Sequence, residues 1–199
     1  SENFVNLEKF YKTIIGEIPD GAHVVNVGGG LDYLTPLIFA SRGAHYFGFE
    51  KYVSAQKGVI SNRDAYKLTT GSIEQRGAFV SSESSDIPSH SQDMVMMLSV
   101  LTDNKVTKDD AKGILEEAFR IIKKPDGKLI VGSYDEGEAD EYSRPVVDEF
   151  FKDKKVTYKR DVKEGKYLTG EVVVDIYTIP EIEAATGRNP SGDQPEELL

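Results

Sequence analysis

The sequence predicts an α/β protein: a seven-stranded, mostly parallel sheet with helices on both faces and an antiparallel C-terminal strand. Three observations carry this. Short apolar runs alternate with stretches of helical apolar spacing from residue 4 to residue 134. The run "DMVMMLSVL" (93–101) is apolar without alternation, as a strand buried on both faces must be. After residue 150 the alternation stops, and "KVTYKRDV", the turn "KEGK" and "YLTGEVVVDIYTI" read as a β-hairpin.

Each element follows from its own pattern. Residues 4–18, "FVNLEKFYKTIIGEI", place Phe4, Leu7, Phe10, Tyr11, Ile14, Ile15 and Ile18 at helical spacing, with Pro19-Asp20-Gly21 as the stop. "HVVNV" (23–27) is a short strand running into three glycines. "LTPLIFASRG" (34–43) is a helix that tolerates Pro36 in its first turn. "HYFGFE" (45–50) is the second strand, residues 53–69 a helix, "GAFVSSE" (77–83) the third strand and "DMVMMLSVL" the fourth. "TKDDAKGILEEAFRII" (107–122) is a helix capped by Thr107 and striped by Ala111, Ile114, Leu115, Ala118, Phe119 and Ile122. Pro125-Asp126-Gly127 turns the chain into the fifth strand, "KLIVGSY" (128–134), and a short helix over 144–152 precedes the hairpin. Five strands joined by helices require right-handed crossovers, which puts helices on both faces. Residues 181–199, rich in Pro, Gly, Asp and Glu without period, are expected to form a mobile acidic tail behind one domain of residues 1–180.

Composition narrows the function. Of 199 residues, 39% are hydrophobic and 29% charged, and no run approaches the roughly 18 apolar residues of a membrane span. The charged, amphipathic N-terminal stretch does not read as a targeting peptide. There is no cysteine, so thiol nucleophiles, thiolate metal sites and disulfides are excluded, which suits a cytoplasmic protein. The net charge of -10 disfavours a nucleic-acid partner, and the lysines of "FKDKKVTYKR" (151–160) are expected to be a solvated strand edge.

The glycines carry the functional signal. Gly28, Gly29 and Gly30 follow the first strand, where a backbone that must approach a nucleotide-like ligand would spend them. Glu50 ends the second strand, positioned to accept hydrogen bonds from both hydroxyls of a ribose. A dinucleotide fingerprint would need a third glycine where Tyr33 stands, which counts against a dehydrogenase.

"VVNVGGGLDYL" (24–34) resembles motif I of the class I S-adenosylmethionine-dependent methyltransferases, an acid followed by GxGxG. The resemblance extends over roughly residues 20–180 and implies their three-layer, Rossmann-like fold with S-adenosyl-L-methionine as cofactor. It implies cofactor contacts at Asn26, Gly28, Gly29, Gly30 and Asp32. "FGFEKY" looks like the ribose-binding strand end, bringing in Glu50 and Lys51. "SSESSDIPSHSQDMVMMLSVL" is similar to the adenine segment and fourth strand, which implies Glu83 and Ser84 at the adenine and Ser99 at the strand's end. "ILEEAFRIIKKPDGKLIVGSY" is similar to the family's helix, turn and fifth strand, with Asp126 in place of the turn's first glycine. Two departures concern the cofactor: Asn26 stands where the family has an acid, and Asp32 replaces the third glycine, from where it would restore the missing charge.

For the acceptor, the absence of cysteine excludes covalent cytosine C5 methylation, and "LSVLTDN" replaces the "NPPY"-type signature of many amine methyltransferases. Ser99, Thr102, Asp103, Tyr134 and Asp135 are expected at the mouth, with Asp103, Asp135 and His90 as candidate bases. His23 and His45 begin strands and lie at the wrong end of the sheet. No His, Asp and Glu spacing indicates a metal site, and "YDEGEADE" (134–141) reads as a solvated acidic loop. The helix of residues 1–18 would cap the cofactor or pack on the sheet. Little of the chain remains for substrate recognition, which points to a small-molecule acceptor or to a partner subunit or oligomer supplying it. Three readings stand: a methyltransferase acting on an O or N atom, a non-catalytic relative that keeps the ligand, and a small NAD(P)-binding protein.

Overall fold

The computed structural model describes residues 2–28, 34–49, 71–76, 85–101, 106–165 and 170–181. Seven strands form one sheet in the order β3-β2-β1-β4-β5-β7-β6. They are β1 (His23–Val27), β2 (His45–Phe49), β3 (Ser72–Arg76), β4 (Met94–Leu98), β5 (Lys128–Ser133), β6 (Thr157–Gly165) and β7 (Gly170–Thr178). The first five are parallel, and β7 inserts antiparallel between β5 and β6. The register Ser133↔Val173 leaves Gly170–Val172 of β7 running past the carboxyl end of β5.

Alternation of side chains divides the core into two layers. Val25, Val27, Val95, Met97, Leu129 and Val131 face α3 (Lys108–Ile121) and α4 (Arg144–Phe151). Val24, Met94, Met96, Ile130, Val172 and Val174 face α1 (Glu2–Ile15) and α2 (Leu34–Ser41). Seven of the eight residues of α2 are buried, which is why its sequence is apolar all round. Thr107 caps α3 as predicted, its hydroxyl accepting from Asp110 N at 3.1 Å.

Two boundaries depart from the sequence reading. Helix α1 ends at Ile15, not residue 18, because Gly16 takes φ +78° and its N–H bonds back to Lys12 O at 2.9 Å, a left-handed glycine stop. Strand β3 is "SIEQR", five residues ahead of the expected "GAFVSSE", which lies outside the described residues. An edge strand with exposed Ser72 and Glu74 carries no apolar run to betray it. The expected helix 53–69 and residues 182–199 of the expected tail also lie outside the described residues.

Between β5 and α4 the chain makes a helical turn, Glu136–Glu138, and then a π-helical turn, Ala139–Ser143. A buried polar network fixes this segment to the hairpin. Asp175, 1% exposed, accepts from Tyr158 Oη at 2.7 Å and from Arg160 Nε and Nη2 at 2.7 and 3.1 Å. Arg160 also donates to Asp140 of the π-helical turn at 2.7 Å. Burial and the bond to Asp175 push the Tyr158 hydroxyl up to about 12. The basic stretch 151–160 therefore divides: Lys152, Lys155 and Lys159 are exposed as expected, whereas Arg160 is half-buried in this network.

Candidate active site at the carboxyl edge of the sheet

From β1 the chain crosses first towards β2 and β3, then back to β4 and β5, so strand order reverses between β1 and β4. Ligands of open α/β sheets bind outside the carboxyl ends of the strands at such a switch point. Gly28 stands there. Its φ is +69°, its N–H donates to Phe49 O at 2.8 Å, and a Cβ on it would fall 2.7 Å from Val100 Cγ2. The position thus needs glycine twice over, for its backbone and for the side chain lying on it. Val100 belongs to the turn leaving β4, in which Ser99 takes φ +55° and donates its N–H to Gly132 O at 2.8 Å. The carboxyl ends of β1, β2, β4 and β5 are in this way brought together around one glycine.

Asn26, two residues before Gly28, is 2% exposed on the α1–α2 face of the sheet. It lies opposite Gly48 of β2, which has no side chain to cover its amide. Nδ2 donates to Tyr46 Oη at 2.9 Å, while Oδ1 has no hydrogen-bond partner. It is the one buried side-chain N or O so placed among the described residues. An orphaned buried acceptor costs about 1–3 kcal/mol, so it calls for a donor that the described residues do not supply. Helix α1 reaches towards the same region: Tyr11 Oη lies 2.9 Å from Thr35 Oγ1 in the first turn of α2. Its Leu7, Tyr11 and Ile14 are buried in the α2-side core, so this stripe packs rather than standing free.

A second cluster holds the segment leading into β4. Glu117 of α3, 1% exposed, accepts from Arg120 Nε at 2.9 Å, and also from Arg120 Nη2 and Ser85 Oγ. Arg120 further donates to Ile87 O at 2.7 Å and to Ser89 Oγ at 3.0 Å. Burial pushes the Glu117 carboxyl up, but the hydrogen bonds from Arg120 and Ser85 outweigh it and hold the group below its ordinary value. The clamp fixes residue 85 and beyond, directly after the candidates Glu83 and Ser84.

Two candidate bases, His90 and Asp135, fall among the described residues. His90 is at the amino edge of the sheet, its N–H bonded to Arg120 O at 3.0 Å and its Nδ1 3.4 Å from Ile122 O. A loop that enters a parallel strand lies at the strand's amino end, so His90 cannot reach the carboxyl edge. Asp135 is at the right edge, but its Oδ1 accepts from Glu138 N at 2.7 Å and caps the helical turn. Glu138 in turn accepts from Tyr134 N at 2.8 Å, and Asp140 pairs with Arg160, so these acids of "YDEGEADE" are partly structural. Tyr134 is 52% exposed beside them. His23 and His45 stack at 4.6 Å on the amino edge, as their strand-start positions imply. Gly29, Gly30, Asp32, Glu50, Lys51, Glu83, Ser84, Thr102 and Asp103 lie outside the described residues. Among the described residues no group of three His, Asp or Glu side chains is placed to hold a metal ion.

Sequence reasoning missed Tyr46, Val100 and the Glu117–Arg120 clamp. Only the last had a signal, an acid and an arginine three apart on one helix next to its apolar stripe.

No family model matches the sequence, and no curated protein matches it. The architecture does have solved counterparts. A SAM-dependent methyltransferase from Methanosarcina mazei superposes with a TM-score of 0.60 at 16% identity, covering 86% of this chain and 97% of its own. One from Aquifex aeolicus gives 0.58 at 16% identity, covering 86% and 88%. This chain has the class I methyltransferase fold. A precorrin-6y C5,15-methyltransferase from Geobacter metallireducens shares that fold at a TM-score of 0.53 and 15% identity, over 88% of this chain and 86% of its own. The antiparallel β7 and a positive-φ glycine directly after β1 are both present in this sheet. Among the described residues no helix is long and apolar enough to cross a membrane.

Proposed function

We propose that this protein is an S-adenosyl-L-methionine-dependent methyltransferase that transfers a methyl group to an O or N atom of a small molecule. The observation that carries the reading is the orphaned Asn26 Oδ1, buried two residues before a positive-φ glycine at the switch point of the sheet. A buried acceptor without a donor fits the ammonium of the cofactor's methionine moiety, and Asp32 would add the charge that Asn26 lacks. Gly28, Gly29 and Gly30 would let the backbone approach the cofactor. Glu50 would hold the ribose hydroxyls with Lys51 beside it, Glu83 and Ser84 would meet the adenine, and Ser99 would line the pocket at the end of β4.

The cofactor, when bound, supplies a methyl group already activated on a sulfonium sulfur. The chain's work is then alignment, holding the acceptor's lone pair in line with the methyl carbon and the sulfur. The stitched strand ends at Gly28, Val100 and Ser99 provide a rigid floor for it. A small acceptor is supported by the economy of the fold, whose described elements beyond the sheet and its covering helices are short turns.

Asn26→Leu tests the reading. It removes the acceptor while keeping the branching of the side chain, and a hydrogen bond to a charged donor is worth about 1.5–3 kcal/mol. Calorimetric affinity for S-adenosylhomocysteine should fall at least about tenfold, the equivalent of about 1.4 kcal/mol. Equal affinities would take Asn26 out of the site. The neutral Asn26 also favours a second reading, a relative that binds the cofactor without turnover. Binding of S-adenosylmethionine with no methyl transfer to any O- or N-nucleophile offered would support it.

A further inference from the structure

The Asn26 amide has two ends of opposite polarity, and only one has a partner among the described residues. Nδ2 donates to Tyr46 Oη at 2.9 Å, whereas Oδ1 is unpartnered in a side chain that is 2% exposed. An aspartate at this position would present equivalent oxygens whichever way it turned. An asparagine must be told which way to face, because its NH2 group pointed at an ammonium is repulsive. Tyr46 stands two residues before Gly48 on the same face of β2. Its ring is 3% exposed and packs against Phe39 of α2 at 5.7 Å between centroids, so the hydroxyl is held in a fixed place.

Resting on the methyltransferase reading above, we infer that Tyr46 is a positioning residue: its hydroxyl, by accepting from Nδ2, satisfies the Asn26 amide in the orientation that leaves Oδ1 for the amino group of the bound cofactor. Without the hydroxyl, Nδ2 would face an apolar ring. A buried N–H is tolerated unpaired less readily than a carbonyl. The amide would turn over, presenting Nδ2 to the cofactor and hiding Oδ1 against the ring. Tyr46 thereby does for a neutral asparagine what symmetry does for a carboxylate.

Tyr46→Phe removes one oxygen and keeps the ring. Two probes separate positioning from general support: S-adenosylhomocysteine, which carries the amino-acid half, and 5′-methylthioadenosine, which lacks it. The variant should lose at least about fivefold in affinity for S-adenosylhomocysteine, about 1 kcal/mol. Its affinity for methylthioadenosine should stay unchanged. Adding Asn26→Asp to Tyr46→Phe should restore S-adenosylhomocysteine binding, because equivalent oxygens need no orientation. An equal loss for both ligands, no loss for either, or no restoration by Asn26→Asp would overturn the inference while leaving the methyltransferase reading in place. A wild-type protein that binds neither ligand would overturn both.

Discussion

Arg120→Ala is the perturbation whose cost the structure sets most directly. The Glu117 side chain is fully buried and takes hydrogen bonds from Arg120 Nε and Nη2 and from Ser85 Oγ. Removing the guanidinium leaves a buried carboxylate facing one hydroxyl, and it also strips the donor from Ile87 O. Breaking a buried pair in this way costs about 3–5 kcal/mol. Because the Arg120 side chain is itself 32% exposed, the lower end applies, about 3 kcal/mol. For a chain of this size that corresponds to a fall in Tm of about 6–12 °C.

The pH dependence should change sign. In the wild type, burial raises the Glu117 carboxyl but its hydrogen bonds win, so its folded value lies below the unfolded 4.5. Its contribution is present above that value and is lost as pH falls through the folded one. In Arg120→Ala desolvation is left nearly unopposed and the carboxyl rises above 4.5. The variant then loses stability as pH rises through the new folded value, so its deficit against wild type is smaller at pH 5 than at pH 7. Urea melts of both proteins at the two pH values measure this. A cost at pH 7 under about 1 kcal/mol, or a deficit equal at both pH values, would refute the reasoning.

Three other variants probe the glycine turn, the hairpin network and the ribose site. Gly28→Ala should lower Tm, because positive φ costs a side chain about 1–2 kcal/mol and the Cβ meets Val100 Cγ2; it should also abolish S-adenosylhomocysteine binding in calorimetry. Asp175→Ala strands Arg160 and Tyr158 and should cost about 3–5 kcal/mol in urea melts, with the hairpin amides losing hydrogen-exchange protection first. Glu50→Ala should weaken S-adenosylhomocysteine at least about tenfold with the ligand-free Tm unchanged; an unchanged affinity would remove Glu50 from the ribose site.

The parallel strands β1, β2, β4 and β5 were legible because burial on both faces leaves an apolar run that periodicity detects. The edge strand β3 was not, since Ser72 and Glu74 face solvent and dilute the pattern. The apolar spacing of α1 runs on to Ile18, which is buried although the helix stops at Gly16 before it. At the candidate site, glycines at a strand end pointed to Gly28, and an asparagine where the resemblance implies an acid drew attention to Asn26. Their partners Tyr46 and Val100 were invisible, because contacts between strands depend on register, which a single chain does not encode locally. The placement of His90 was decidable from topology alone, since a loop entering a parallel strand cannot lie at its carboxyl end. Asp135 was readable as an acid at the mouth, whereas its capping bond to Glu138 N depends on the local turn.

Binding of S-adenosylmethionine at the carboxyl edge around Asn26 and Gly28 is tested most directly by titrating the purified protein with S-adenosylhomocysteine and, in parallel, with NAD by isothermal calorimetry. Saturable one-to-one binding of S-adenosylhomocysteine and no heat of binding with NAD are expected. Binding of NAD alone, or of neither ligand, would contradict it.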